Sequence, residues 1–152
     1  REETMKFTNY ALRTTHYALR TTINPMEPIL LAVNGTLMRG LQLNPNLLEV
    51  GATFVEEITT SPDYRIWTIG DRHPAMQRVT SGGVAVALEV WAVPPTGLAS
   101  ILLKEPPGLC IGLVTLADGR SVLGVLGEAY LCATGTEITQ FGGWRAYMAS
   151  KS

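Results

Sequence analysis

Charge is scarce in this chain. Asp, Glu, Lys and Arg make up 16% of the residues, and 12 basic side chains nearly balance 13 acidic ones. There is no basic run, which argues against a nucleic-acid partner. Cysteine is scarcer still. Cys110 and Cys132 lie far apart, so no disulfide framework is expected. Two histidines and two cysteines at no ligand spacing argue against a zinc site. Both cysteines sit among apolar residues and read as buried free thiols. No apolar stretch approaches the roughly 20 residues that cross a bilayer. No signal-peptide pattern opens the sequence, so the cytoplasm is the expected location.

What is present is apolar. Ala, Val, Ile, Leu, Met, Phe, Trp, Tyr and Cys supply 46% of 152 residues, enough for one well-cored domain. So apolar a chain also suits a subunit interface, with a second copy or with another protein.

The N-terminus carries a literal duplication. Asn9-Tyr10-Ala11-Leu12-Arg13-Thr14-Thr15 is followed by His16-Tyr17-Ala18-Leu19-Arg20-Thr21-Thr22. Two heptads are too few for a coiled coil, and adjacent threonines lower helix propensity. The segment reads as a translated tandem DNA repeat, with Met26 as the authentic start. Residues 1–25 are then expected to be a flexible tail, with a short helix or interface arm as the alternative. Residues 26–152 are expected to form a single domain.

Along the rest, Ile29 to Val33 reads as a buried strand and 45–51 as a short helix ended by Gly51. Residues 52–60 and 64–69 alternate as strands around a Ser61-Pro62-Asp63 turn. A turn at Gly70-Asp71 and a short strand at 76–79 follow. Residues 84–93 form the longest strand candidate, apolar enough to be central. Pro95 opens a helix that runs from Gly97 to Glu105 and is closed by Pro106-Pro107. Asp118-Gly119, between apolar runs 111–116 and 121–126, signals a hairpin. Residues 137–147 read as a loop and a closing helix. The fold class predicted is α+β: a mixed or antiparallel, barrel-like sheet with two or three short helices.

Two features carry chemistry. The first is Asn34-Gly35-Thr36-Leu37, directly after the first strand. Glycine there can take unusual backbone angles or let a ligand approach the main chain. Successive N–H groups in such a loop can converge on an anion. The second is Glu105. Leu98, Ile101, Leu102 and Glu105 share one helix face, with Ser100 and Lys104 on the other. A carboxylate on the inward face, at the negative end of the helix dipole, has its pKa pushed up. Such a group can take and give protons. The alternative is that the helix end frays and Glu105 turns to water.

These residues resemble the γ-glutamylcyclotransferase-like superfamily. The family's Tyr-Gly-Ser/Thr-Leu segment, continued by Arg-x-Gly, is similar to Asn34 through Gly40, with Asn34 in place of the tyrosine. His73-Pro74-Ala75-Met76 and Leu88-Glu89-Val90-Trp91-Ala92-Val93 match further segments. Counting on through the helix places the family's catalytic glutamate at Glu105. The second half is similar to the C-terminal domain of allophanate hydrolase, through Ala117-Asp118-Gly119-Arg120 and Ile138 to Tyr147. In that family a loop histidine serves decarboxylation; Leu37 stands in its place here, and leucine transfers no proton. The chain thus looks like a stand-alone relative of that domain with a cyclotransferase-type carboxylate.

The resemblance implies an enzyme acting on a γ-glutamyl or small amide or urea-derived substrate. Glu105 would be general acid and base. Asn34, Gly35, Thr36, Leu37 and Arg39 would bind substrate, and no metal or organic cofactor is required. The competing implication is an auxiliary small-acid-binding module that associates with an amidase. For Glu89, a structural pair with an arginine is favoured over a pocket role, and Arg65 and Arg78 are candidates either for that pair or for holding a substrate carboxylate. His73, before a proline in a turn, is read as structural. Trp144, Arg145 and Tyr147 are read as packing the C-terminus onto the sheet.

Overall fold

The computed structural model describes residues 27–152, so the expectation for the N-terminal repeat lies outside the described residues. Strands β1 (Ile29–Val33), β2 (Thr53–Thr59), β5 (Ala87–Val93), β6 (Leu109–Thr115) and β7 (Ser121–Gly127) form one sheet. Its order is β2-β5-β1-β7-β6. A second sheet has the order β4-β3-β8, from β3 (Tyr64–Ile69), β4 (His73–Arg78) and β8 (Thr136–Glu137). All pairings are antiparallel except β1 with β7. The α+β class is as predicted, but the described strands make two sheets rather than a closed barrel.

Four α-helices are described: α1 (Asn44–Glu49), α2 (Pro95–Lys104), α3 (Ala129–Thr134) and α4 (Trp144–Ala149). Gly97 on α2 lets it approach α1 closely, because a Cβ there would lie 2.7 Å from Val50 Cβ. One core, including Leu31, Val33, Leu47, Tyr64, Ile66, Val90, Ile101 and Trp144, runs between the sheets and helices. A smaller cluster of Ile69, Ala75, Leu131 and Cys132 closes one end.

Several expectations are corrected. The strand foreseen at 76–79 is longer and includes Pro74, which β4 tolerates because it is an edge strand with no second ladder to donate to. His73 therefore sits in a strand and not in a turn. Residues 84–93 do not form one strand: Val84 only bridges Tyr64, and β5 starts at Ala87. Cys110 is exposed, because β6 is the other sheet's edge, whereas Cys132 is buried; both are free. Leu102 points outward at 37% exposure, so α2 buries Gly97 and Ile101 as its inner row.

Candidate functional site

The chain leaves the middle strand of the larger sheet at Asn34, and its next residues are held from several sides. Asn34 is buried and its Nδ2 donates to the Val125 carbonyl at 2.9 Å. Gly35 packs directly on Pro74, where an added Cβ would lie 2.5 Å from the ring Cδ. Gly35 does not have positive φ, so close approach requires the glycine and not an unusual backbone angle.

The loop's carbonyls are taken. Gly35 O accepts Met38 N–H at 3.0 Å, Thr36 O accepts Leu43 N–H at 2.9 Å, and Leu37 O accepts Asn44 Nδ2 at 2.9 Å. Among the described residues, the N–H groups of Gly35, Thr36 and Leu37 donate to nothing. The loop therefore presents donors without acceptors, the polarity that suits a carboxylate or a developing oxyanion.

Glu105 meets this loop. It follows the last residue of α2, and its backbone is extended (φ −70°, ψ 145°), as expected of a residue before proline. Its side chain, with Val33, Asn34, Gly35, Thr36, Leu37, His73, Pro74, Leu109 and Val125, lines one crevice. Among the described residues its carboxylate has no hydrogen-bond or ion-pair partner. Burial alone pushes its pKa from 4.5 up to about 7. The crevice is narrow: about 20 Å³ is open to a water-sized sphere. That is room for a water or one reacting group.

Arg39 does not join this crevice. Its backbone N–H and Nε donate to Glu89 at 3.0 and 3.2 Å, its Nη2 lies 2.5 Å from Glu57, and its guanidinium stacks on Phe54. Arg145 donates to Glu89 at 3.2 Å and to the Arg39 carbonyl at 2.6 Å. Trp91 completes the set, Nε1 to Glu89 Oε2 at 3.0 Å. Burial pushes the Glu89 pKa up, but these donors outweigh it and leave the carboxylate below its ordinary range. Glu89 is thus the paired structural carboxylate expected, with Arg39 and Arg145 as partners in place of Arg65 and Arg78. Arg65 lies against Glu137 at 2.6 Å, and Arg78 donates to the Tyr64 hydroxyl.

The C-terminus packs as expected. Trp144 is buried, and the Tyr147 hydroxyl donates to Asp71 at 2.6 Å. His73, read from the sequence as structural, lies in the crevice lining with Nδ1 3.1 Å from the Pro74 carbonyl.

A carboxyl that titrates near neutrality and a row of unpartnered amides in one crevice can move protons and stabilise negative charge. Against known families, residues 29–149 match the allophanate hydrolase C-terminal domain. The chain belongs to that family. A uropathogenic E. coli-specific protein of known crystal structure is 52% identical, with a TM-score of 0.80, over 82% of this chain and 98% of that one. The urea amidolyase of Saccharomyces cerevisiae is 32% identical over 131 residues. That match covers 82% of this chain but only 7% of the yeast protein. The γ-glutamylcyclotransferase-like fold is shared with an AIG2-like protein of Mus musculus, at 19% identity and a TM-score of 0.52 over 71% of this chain and 79% of that one.

Among the described residues, no helix is long and apolar enough to cross a membrane, and no group of three or more His, Cys, Asp or Glu is placed to hold a metal.

Proposed function

We propose that this domain is a small-molecule enzyme of the γ-glutamylcyclotransferase-like type, with Glu105 as general acid and base. The observation that carries this reading is the shared crevice of Glu105 and the 34–37 loop. The substrate is a γ-glutamyl compound or a small amide or urea derivative. For a γ-glutamyl substrate, the α-amine attacks the side-chain carbonyl and forms a five-membered lactam. Glu105 takes a proton from the attacking nitrogen and gives it to the departing amine as that C–N bond breaks. The amides of Gly35, Thr36 and Leu37 hold the oxygen on which charge develops, or the substrate carboxylate. Asn34 keeps the loop in register through Val125. Because amine and carbonyl belong to one molecule, orientation supplies much of the rate.

Arg39 acts in this scheme from outside the crevice, by fixing the end of the loop. We place the protein in the cytoplasm, as a homodimer or in association with an amidase. The test is a turnover screen against γ-glutamyl dipeptides, γ-glutamylamines and allophanate-type carbamates. Glu105→Gln is expected to lose about 10²- to 10⁴-fold in kcat, the usual worth of a general acid–base. Unchanged turnover in that variant would end the acid–base reading.

A second reading has its own support. Leu37 stands where the allophanate hydrolase resemblance implies a proton-transferring histidine, and the yeast relative carries the matching segment as 7% of its length. In this reading the domain binds a small acid and serves an amidase partner without turning anything over. Co-purification with an amidase, together with acid binding and no turnover, would favour it.

A further inference from the structure

Glu105 borders a second opening as well as the crevice. Leu102, Leu109, Cys110, Ile111 and Val125 join it around a slot with about 190 Å³ of open space. Glu105, Leu109 and Val125 line both spaces, so slot and crevice are neighbours. Glu105 is the one charged residue in the slot wall. The crevice also meets a larger cleft of about 590 Å³ whose walls mix Gln42, Asp71 and Arg72 with Leu43, Ile69 and Leu131. Thr36 and His73 are common to that cleft and the crevice. The narrow crevice thus adjoins a cleft of mixed lining that carries both charge signs, and a slot whose wall is apolar apart from Glu105.

A substrate whose reacting carbonyl lies in so narrow a crevice extends beyond it on the leaving-group side, where Glu105 borders the slot. Its carboxylate stays at the loop amides or reaches the cleft that holds Arg72. A negative charge carried into the slot would meet a carboxyl and no cation in the wall, and unpaired charges are costly to bury. We propose that the slot receives the leaving-group substituent of the substrate, and that this substituent is an alkyl or aryl group bearing no negative charge. This rests on the reading of Glu105 as acid and base, because that reading puts the breaking bond beside it.

The test uses N-alkyl glutaramates, from methyl to hexyl, which lack the α-amine and cannot cyclise. Their binding to the full chain is followed by calorimetry and by protection of exposed Cys110 from a maleimide; Cys132 is buried. Affinity is expected to rise about fourfold per methylene until the slot is filled. Analogues ending in a carboxylate should bind at least about tenfold more weakly than the uncharged chain of equal length. Ile111→Asp should flatten the series. A flat series in the unmodified protein, or equal binding of the carboxylate-ended analogues, would overturn the proposal. None of these readouts needs turnover. A steep series with no loss of turnover in Glu105→Gln would refute the acid–base role and leave the slot standing.

Discussion

Glu105 should make the protein less stable as pH rises, and its removal should reverse that. In the folded chain its pKa is about 7, against an ordinary value of 4.5. Between those values the folded state binds more protons than the unfolded one, so unfolding free energy falls with rising pH. The slope ends once the folded-state carboxyl has ionised, above about pH 7. At 1.36 kcal/mol per pH step the span corresponds to roughly 3 kcal/mol. The carboxyl borders a crevice that admits water, which reduces this to about 1–3 kcal/mol. Glu105→Gln keeps the shape and abolishes the ionisation. It should therefore leave stability nearly unchanged near pH 4.5 and raise it by about 1–3 kcal/mol at pH 8. Urea titrations of both proteins at half-unit pH intervals give the difference directly, provided the m-values agree. Parallel stability curves from pH 4.5 to 8 would show that the native carboxyl ionises as freely as an exposed one. The burial argument would then fail.

Glu89→Ala should be among the most damaging single changes, because it strips acceptors from the buried Trp91 indole and the Arg39 amide. At about 1–3 kcal/mol for each orphaned donor, urea unfolding should show a loss of about 2–6 kcal/mol; the half-exposed arginine heads rehydrate and add little. Glu89→Gln should not rescue it fully, since each carboxylate oxygen already accepts two donors and an amide NH₂ cannot. Gly35→Ala should cost about 1–3 kcal/mol, read as a lowered Tm, because the proline ring it strikes has little freedom to move. Asn34→Ala should cost about 1–3 kcal/mol by leaving the Val125 carbonyl without its donor. In the native protein Cys110 should be alkylated first and Cys132 only on unfolding, as mass spectrometry of a timed reaction would show. Partial covering of the thiol and the nearby Glu128 raise exposed Cys110, as burial raises Cys132, so the Cys110 rate should still be climbing above pH 9.

Elements with a strong local signature were legible in the sequence. Tyr64 to Ile69 alternates because one face meets the core. The Asp118-Gly119 hairpin forms, although its loop has three residues rather than two: Leu116 faces Arg120, Thr115 faces Ser121, and Gly119 takes positive φ. The prolines at 94–95 and 106–107 bracket α2 as steric rules require. What escaped was short or non-local. Helix α3 has six residues, too few for a period to show, and β8 has two. The partners of Glu89 lie 50 and 56 residues away, and no spacing rule reaches that far. The exposure of Cys110 follows from β6 being an edge, which depends on strand order and not on the residues of β6. For the site, the loop and Glu105 could be named separately from local chemistry. That they share a crevice is a product of topology: β1 delivers the loop beside β7, and α2 returns the chain to the same end.

The carboxylates of this protein divide in a way that bears on what Glu105 is for. Asp71, Glu89 and Asp118 are each held below their ordinary range by hydrogen-bond donors. Those are the marks of groups that tie loops and helices together. Glu105 has no such donor among the described residues, and only burial acts on it. A glutamine of the same shape would avoid the cost of ionisation, and a leucine would fill the apolar side of the slot. Packing therefore gives no reason for a carboxylate there. Proton transfer does, because a group titrating near neutral pH is the one kind of acid that can both release and recover a proton at that pH. The stability measurement and the turnover screen consequently test one claim from opposite sides. Glu105→Gln should gain stability at alkaline pH in the same variant that loses activity. A variant that gained neither stability nor lost activity would show that Glu105 is an ordinary surface residue.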